Sequence, residues 1–411
     1  MADPTSTAAP TGANGAPAGP LRSPLHERHE ALGAKFSEFG GWLMPLEYPT
    51  GVVKEHTGVR TGVGIFDVSH LGKLVVRGPG AAAFLDATLS NDLGRIGPGQ
   101  AQYSLVCDDA TGGIIDDVFT YYRDDDGVLV VPNAANSAEV HRRLAQAAPE
   151  GVTVTDAHRD LAVLAVQGPR SDEVLAAVGL PVGHDYLSFV DAAWPTAPGA
   201  GTGAGTGAGT GAAPGDDVIV CRTGYTGERG YELIAPSGLA PALWDALLAA
   251  GAEHGLTPCG LGARDTLRTE MGYPLHGQDI SASVTPVEAR LGWAVGWKKP
   301  AFWGRDVLLA ERERGARRKL VGIVSTGRAI PRPHMSVRLP SAEPSSGQPS
   351  GEPLGEVTSG TFSPTLRKGI GLALVAASVA DDAEVVLDVR GRNETFQITK
   401  PPFVEPSVRE S

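Results

Sequence analysis

Two carboxylates stand side by side in a run that is otherwise strongly β-forming: Asp116 and Asp117, between Ile114, Ile115 and Val118, Phe119, Tyr121. Successive side chains of a strand point to opposite faces, so one of the pair is aimed inward. A buried carboxylate without a cation beside it is costly, which makes such a group more often chemical than structural. A second reactive stretch, residues 259–280, reads CGLGARDTLRTEMGYPLHGQDI. Arg264 and Arg268 fall four apart there and share one face of a short helix over 263–271, with Leu267 and Met271 on its apolar face. Gly260 and Gly262 allow a close turn before that helix, and Gly272, Tyr273 and Pro274 end it. Cations on one side and core on the other suit a helix that lines a site, although the same pattern alone also describes a solvated amphipathic helix. Carboxylates can manage a proton or stabilise positive charge, and arginines can hold an anionic small ligand.

Other chemistries have no residues to carry them. Gly260-x-Gly262 lacks the third glycine of a dinucleotide fingerprint, and no phosphate-binding G-x-x-x-x-G-K-[ST], zinc-protease H-E-x-x-H or G-x-S-x-G motif occurs. His26 and His29 lie one helical turn apart, but Glu27, Arg28 and Glu30 around them make a solvated face the expectation rather than a metal pair. Residue types alone name no substrate.

The elements that must position these groups follow from pattern. Around the aspartate pair, residues 103–106, 114–122 and 128–131 read as strands joined by turns at 108–113 and Gly127, and Ser137 caps a helix carrying Val140 and Leu144. Upstream, 25–39 has helical character, 40–45 is a turn with large apolar groups, 73–77 is a strand, and Pro79-Gly80 open a helix through Leu89. The uninterrupted apolar run 161–166 reads as a central strand, with a helix from Ser171. Residues 218–222 and 231–235 form a hairpin around the turn 223–230, with Glu232 in the returning strand, and 239–254 is a helix. A charged helix spans 306–319, and the β-type runs 319–324, 355–359, 370–375, 385–389 and 396–400 suggest a small barrel or sandwich. Residues 1–24, 198–215 and 341–353 have compositions too poor in large apolar groups to order.

The chain of 411 residues is long enough for about two or three domains. A formal net charge of −12 and a pI near 5.3 argue against nucleic acid as partner. Three widely spaced cysteines, Cys107, Cys221 and Cys259, fit a reduced intracellular protein without disulfides or a zinc cluster. No run nears the roughly 18 apolar residues that span a bilayer, and the N-terminus has neither the apolar core of a signal peptide nor the arginines of a mitochondrial leader. A soluble, cytoplasmic protein is expected.

Seven blocks in order carry a family resemblance: FGGWLMP at 39–45, IFDVSH at 65–70, GGIIDD at 112–117, AVQGP at 165–169, TGYTGE at 223–228, CGLGARDTLR at 259–268 and TSGTFSP at 358–364. Over nearly the whole chain from Leu25 to Pro406 it resembles the T-protein of the glycine cleavage system, a tetrahydrofolate-dependent aminomethyltransferase. The resemblance implies an α+β fold of three domains in a clover leaf around a central folate funnel, the last a small β-barrel. The implied division is 25–66 with 151–254, 67–150 with 255–302, and 303–411. It implies attack by tetrahydrofolate on the aminomethyl group carried by lipoylated H-protein, with the P- and L-proteins as further components of the system and no metal.

Carried over position by position, Asp117 is the catalytic aspartate, Glu232 holds the pterin, Arg264 contacts substrate and Tyr225 lines the pterin pocket. Tyr103, Val131 and Asn133 stand near the ligand. Leu71 replaces the Met that many relatives carry after Ser-His, a conservative swap, and the insertion at 199–215 lies in a loop where length is tolerated. Two rivals share the implied fold. Folate-binding iron-sulfur assembly proteins carry a K-G-C-x-x-G-Q-E motif, whereas residues 271–279 here read MGYPLHGQD without cysteine. Folate-dependent demethylases often carry a fused flavin domain that this length does not accommodate.

Overall fold

The computed structural model describes residues 19–194, 217–340 and 352–408. Of the stretches expected to be disordered (1–24, 198–215 and 341–353), residues 1–18, 198–215 and 341–351 lie outside the described residues. The ordered chain begins before Leu25, however: Leu21 and Arg22 pair in parallel with Trp42 and Leu43, and the Ser23 hydroxyl donates to Asp67.

The fold is α+β, with two open sheets, a small three-stranded sheet and a closed six-stranded barrel. One open sheet has six strands in the order Phe189–Ala193, Asp217–Cys221, Gly230–Pro236, Leu161–Gln167, Gly64–Asp67, Thr257–Pro258. Leu161–Gln167 is flanked by antiparallel partners on both edges, the placement its unbroken apolar run demands. Trp244, Leu243 and Leu247 of the helix Ala240–Gly251 and Val174 of Ser171–Ala177 cover that sheet. The second, five-stranded, sheet runs Gln100–Cys107, Ile114–Asp124, Gly127–Val131, Leu74–Arg77, Thr153–Asp156, and is covered by Phe84 and Leu85 of Ala81–Thr88 and by Val140 and Leu144 of Ser137–Ala147. The barrel strands are Arg318–Ser325, Lys368–Ala376, Gly355–Ser363, Ser336–Arg338, Glu384–Val389 and Arg392–Thr399, closed around Val321, Ile323, Val357 and Phe396. In the closed barrel each strand has a neighbour on both sides.

Shared cores make these lobes one molecule. Phe66, Val163 and Ala165 of the six-stranded sheet pack with Ala101, Tyr121 and Leu129 of the five-stranded sheet and with Ala263 and Leu267 of the helix Leu261–Met271. Leu105 and Ile114 meet barrel residues Leu320, Leu372 and Leu374 through Ile280, Leu291 and Phe302. Each fully buried side chain of this size is worth about 1.5–3 kcal/mol relative to exposure. The joints between lobes are therefore as apolar as their interiors.

Several local expectations change. The helical stretch 25–39 is a helix only over His26–Ala31; Lys35–Phe39 is a strand that turns back through Gly40 and Gly41, at φ +56° and +83°, into Trp42–Glu47. The supposed turn 40–45 is thus mostly strand, because two left-handed glycines complete a hairpin turn in two residues. His26 and His29 are buried, not solvated. Tyr48 donates to His29 Nδ1 and His29 Nε2 donates to Asp67 Oδ2, both at 2.9 Å. Asn136, not Ser137, holds the cap position of its helix, and the charged helix ends at Arg314 where Gly315 takes φ +85°. Thr153–Asp156 pairs with Leu74–Arg77 and so belongs with the second sheet, outside the division expected for 151–254. The helix Val52–Thr61 went unread. Among the described residues no helix is long and apolar enough to cross a membrane and no group of three or more His, Cys, Asp or Glu could hold a metal ion. The three cysteines are free and buried.

Candidate active site

Strand register delivers the aspartate pair. Ile114–Asp124 pairs with Gln100–Cys107 through Leu105 opposite Asp117, and with Gly127–Val131 through Phe119 opposite Val131. The chain leaving Val131 therefore passes over the two carboxylates, and there it carries Asn133 and Asn136. Alternation places Asp116 wholly inside while Asp117 keeps partial exposure. The Asn133 side-chain amide donates to Asp116 Oδ1 at 2.8 Å and to Asp117 Oδ1 at 2.7 Å, and its backbone N–H donates to Asp116 Oδ2 at 2.9 Å. Asn136 Nδ2 donates to Asp116 Oδ1 at 2.7 Å and to His276 Nδ1 at 2.9 Å, leaving His276 Nε2 to donate to the Ile114 carbonyl at 3.0 Å. Asp116 is thus a buried acceptor whose donors are fully engaged. It fixes the asparagine that orients Asp117.

Burial, then the neighbouring Asp117 charge, lifts the Asp116 carboxyl far above the ordinary carboxylate range, with the asparagine hydrogen bonds opposing. Burial also lifts Asp117, opposed by His276 and by hydrogen bonds from Tyr103 and Asn133. Two carboxylates this close share charge reluctantly, so the pair titrates as a unit. The Tyr103 hydroxyl donates to Asp117 Oδ2 at 3.1 Å. Its ring stacks on Trp293 at 5.2 Å between centroids, and Trp293 is 61% exposed.

A second cluster gathers around Glu232 and Arg264. Glu232, inward on Gly230–Pro236, accepts from Thr223 Oγ1 at 2.6 Å, and Thr223 shares a hydrogen bond with the Tyr121 hydroxyl. Arg264, in the first turn of Leu261–Met271, lies with Cζ 4.7 Å over the Tyr225 ring, and its buried Nη1 has no hydrogen-bond partner. Burial lowers its pKa, with Glu232 and Tyr225 offsetting part of that. Tyr225 donates to the Pro274 carbonyl. Burial raises its phenol, Asp117 adds to that, and the charges of Arg268 and Arg264 oppose it. Burial and the Arg264 charge bring His70 down to about 3, which keeps its imidazole neutral.

Asp117, Tyr103 and Asn133 thus meet directly, Arg264 lies over Tyr225, Glu232 is held by Thr223 of the same turn, and Val131 ends the strand that leads into Asn133. Sequence reasoning missed Asn136, His276, Thr223 and Trp293. The repeat of Asn at 133 and 136 beside an aspartate pair was a readable signal for the first. Thr223 opens the TGYTGE block and lies nine residues from Glu232, whereas His276 and Trp293 are brought in from distant segments and had no signal. The residues offer a carboxylate of raised pKa, a fork-shaped cation and a second carboxylate, which suits a planar ligand rich in donors and acceptors.

Comparison with known proteins bears on this arrangement. The GCVT N-terminal domain matches residues 25–201 and 207–299, and the glycine cleavage T-protein C-terminal barrel domain matches 318–405. The chain belongs to the glycine cleavage T-protein family. It is 59% identical over 389 residues to the aminomethyltransferase of Parafrankia sp., covering 94% of this chain and 99% of that relative. It is 52% identical over 391 residues to that of Mycobacterium tuberculosis (strain ATCC 25618 / H37Rv), covering 95% and 98%. The crystal structure of the glycine cleavage system aminomethyltransferase T from Bartonella henselae matches with TM-score 0.82 at 33% identity, covering 94% of this chain and 98% of that one. As a T-protein family member the chain is an aminomethyltransferase of the glycine cleavage system. The family is folate-dependent in general and works within a system of partner proteins.

Proposed function

We propose that the cleft takes tetrahydrofolate as co-substrate, that the aminomethyl group arrives on the lipoyl arm of H-protein, and that Asp117 is the catalytic carboxylate. Three groups support this reading: a carboxylate of raised pKa at Asp117, a carboxylate held by Thr223 at Glu232, and an arginine over Tyr225 with an unused buried Nη1. Tetrahydrofolate, when bound, supplies the nitrogens that take up the one-carbon unit. Glu232 accepts from the amino-pyrimidine edge in a fork geometry that neutral side chains match less well. Arg264 donates to the ligand's acceptor atoms, which gives its orphaned Nη1 a partner. Tyr225, beneath Arg264, provides a flat wall, and Tyr103 and Val131 flank the opening.

In the transfer, the C–N and C–S bonds of the S–CH2–NH2 group break and two C–N bonds form. The two displaced folate N–H protons end on ammonia and on the dihydrolipoyl thiol. Positive charge builds on the carbon as the amine departs, and Asp117, held by Asn133 and Tyr103, stabilises it without reorganising. Its raised pKa also lets it hold a proton nearer neutral pH than an ordinary aspartate. The P- and L-proteins complete the system in this reading, with the cytoplasm as compartment. The test is release of ammonia and formation of methylenetetrahydrofolate from aminomethylated H-protein, with and without tetrahydrofolate. Equal amounts of both products, dependent on folate, are expected. Transfer that proceeds unchanged without folate would overturn the assignment.

A further inference from the structure

The turn 223–229 has no regular secondary structure, yet it supplies both Thr223, which holds Glu232, and Tyr225, which lies under Arg264. Arg60 secures it from behind: Nη1 donates to the Thr226 carbonyl at 2.7 Å and to Glu228 Oε1 at 2.8 Å. Its outer side is held by a segment far away in sequence. After the last barrel strand, residues 401–408 run half-buried from the barrel, where Phe403 packs on Gly322, to the turn. Pro401 lies so flat on Gly272 that a Cβ there would come within 2.2 Å of it. Phe403 N–H donates to the Glu270 carbonyl at 2.8 Å. The segment then grips the turn at both ends. Ser407 N–H donates to the Gly227 carbonyl at 2.8 Å, the Ser407 hydroxyl donates to Glu228, and Arg222 Nη1 donates to the Val408 carbonyl at 3.1 Å. Arg222 is 4% exposed, and the Val408 carbonyl is an acceptor that the open turn would not give it.

We propose that residues 401–408 are a clasp that sets the conformation of the pocket turn, making Arg222, Glu228 and Ser407 positioning residues for tetrahydrofolate binding; this rests on the folate reading above. The clasp touches neither reacting atoms nor Asp117. Its loss therefore weakens binding of substrate and transition state alike, which raises KM and leaves kcat in place. Coupling is reciprocal: if the clasp helps folate bind, folate must hold the clasp closed by the same factor. A staple that merely stabilises the fold has no such dependence on ligand.

The experiment uses the full chain, a chain ending after Glu405, and Ser407→Ala, with tetrahydrofolate itself as the probe. Truncation should raise KM for tetrahydrofolate by about tenfold and Ser407→Ala by about two- to threefold, since single hydrogen bonds are each worth a few-fold, with kcat within about twofold of the parent. In the full chain, saturating tetrahydrofolate should slow hydrogen exchange at the Ser407 amide by a factor similar to the KM change. Exchange at Ser407 indifferent to folate, while Tyr225 and Thr226 amides are protected, would overturn the clasp and leave the folate site standing. So would a KM unmoved in both variants. Folate protection absent from the turn as well would remove the folate reading and the clasp with it.

Discussion

Arg264 and Arg268 stand one turn apart on the same helix, and the protein treats them in opposite ways. Arg268, 1% exposed, donates to Asp265, to Asp279 at 2.7 Å, to Ser359 and to the Tyr273 carbonyl. Burial opposes its charge, but Asp279 and Asp265 outweigh that and raise its pKa. Arg264 has an aromatic ring beneath it and a buried Nη1 with nothing to donate to, and burial lowers its pKa. The contrast extends to their surroundings. At the barrel end, Glu270 receives Arg60, Ser363 and Thr365, and Ser359 and Thr358 lock onto Asp279. A polar cluster closed on itself rigidifies a joint; one left with unused donors is built for a ligand.

The largest effect expected from this contrast is on stability. Arg268→Met leaves Asp279 charged and buried without its cation, and should cost about 3–5 kcal/mol in urea unfolding. Arg264→Met, which removes a buried unpaired cation, should move stability by less than about 1 kcal/mol. Similar losses for both would erase the distinction between the two ends. Next comes the transfer step. Asp117→Asn should lower turnover by about 100- to 1,000-fold with the urea midpoint retained, the scale of removing one preorganised group that faces developing charge. A midpoint that falls while residual turnover stays high would move Asp117 to the structural side.

A smaller, binding-level effect should follow at the open end. Arg264→Met and Glu232→Gln should each raise KM for tetrahydrofolate by roughly 10- to 100-fold, as expected for charged hydrogen bonds lost to a ligand. Arg268→Lys, by contrast, should leave KM nearly unchanged in whatever protein folds. A last effect is in the pH dependence of stability. Burial would raise Glu270, but hydrogen bonds from His56 and Ser363 and the charges of His56 and Arg60 bring it to about 2, against 4.5 for the free group. A depressed pKa contributes stability that is complete above the unfolded value and is lost as pH falls from about 4.5 towards 2. Asp116 and Asp117 are raised, so their contribution runs the other way: present at low pH, lost as pH rises through their folded values. Urea midpoints between pH 2 and 7 should therefore show an acid limb that Glu270→Gln flattens and Asp117→Asn does not.

Much of this was legible in the chain. The strand around Asp116 and Asp117, the central strand Leu161–Gln167, the hairpin that carries Glu232 and the helix Leu261–Met271 all follow from period, glycine placement and apolar runs. Local pattern was weaker where neighbours decided the outcome. His26 and His29 sit among charged residues in sequence, yet the fold buries them against Phe36, Asp67, Tyr48 and Trp244. Lys35–Phe39 became a strand because Trp42–Glu47 lies beside it.

The sequence by itself determined the elements, the order of the family blocks and the residue types at the site, because these depend on contacts within a few residues and on motifs read in line. Only the tertiary structure decided which arginine is spent on Asp279 and which is left open over Tyr225, that Asn133 and Asn136 hold Asp116, and that the chain's last described residues grip the turn beside Glu232. Those outcomes rest on desolvation and on partners more than a hundred residues away, in some cases, and a linear pattern carries no record of which buried group will find its counterpart.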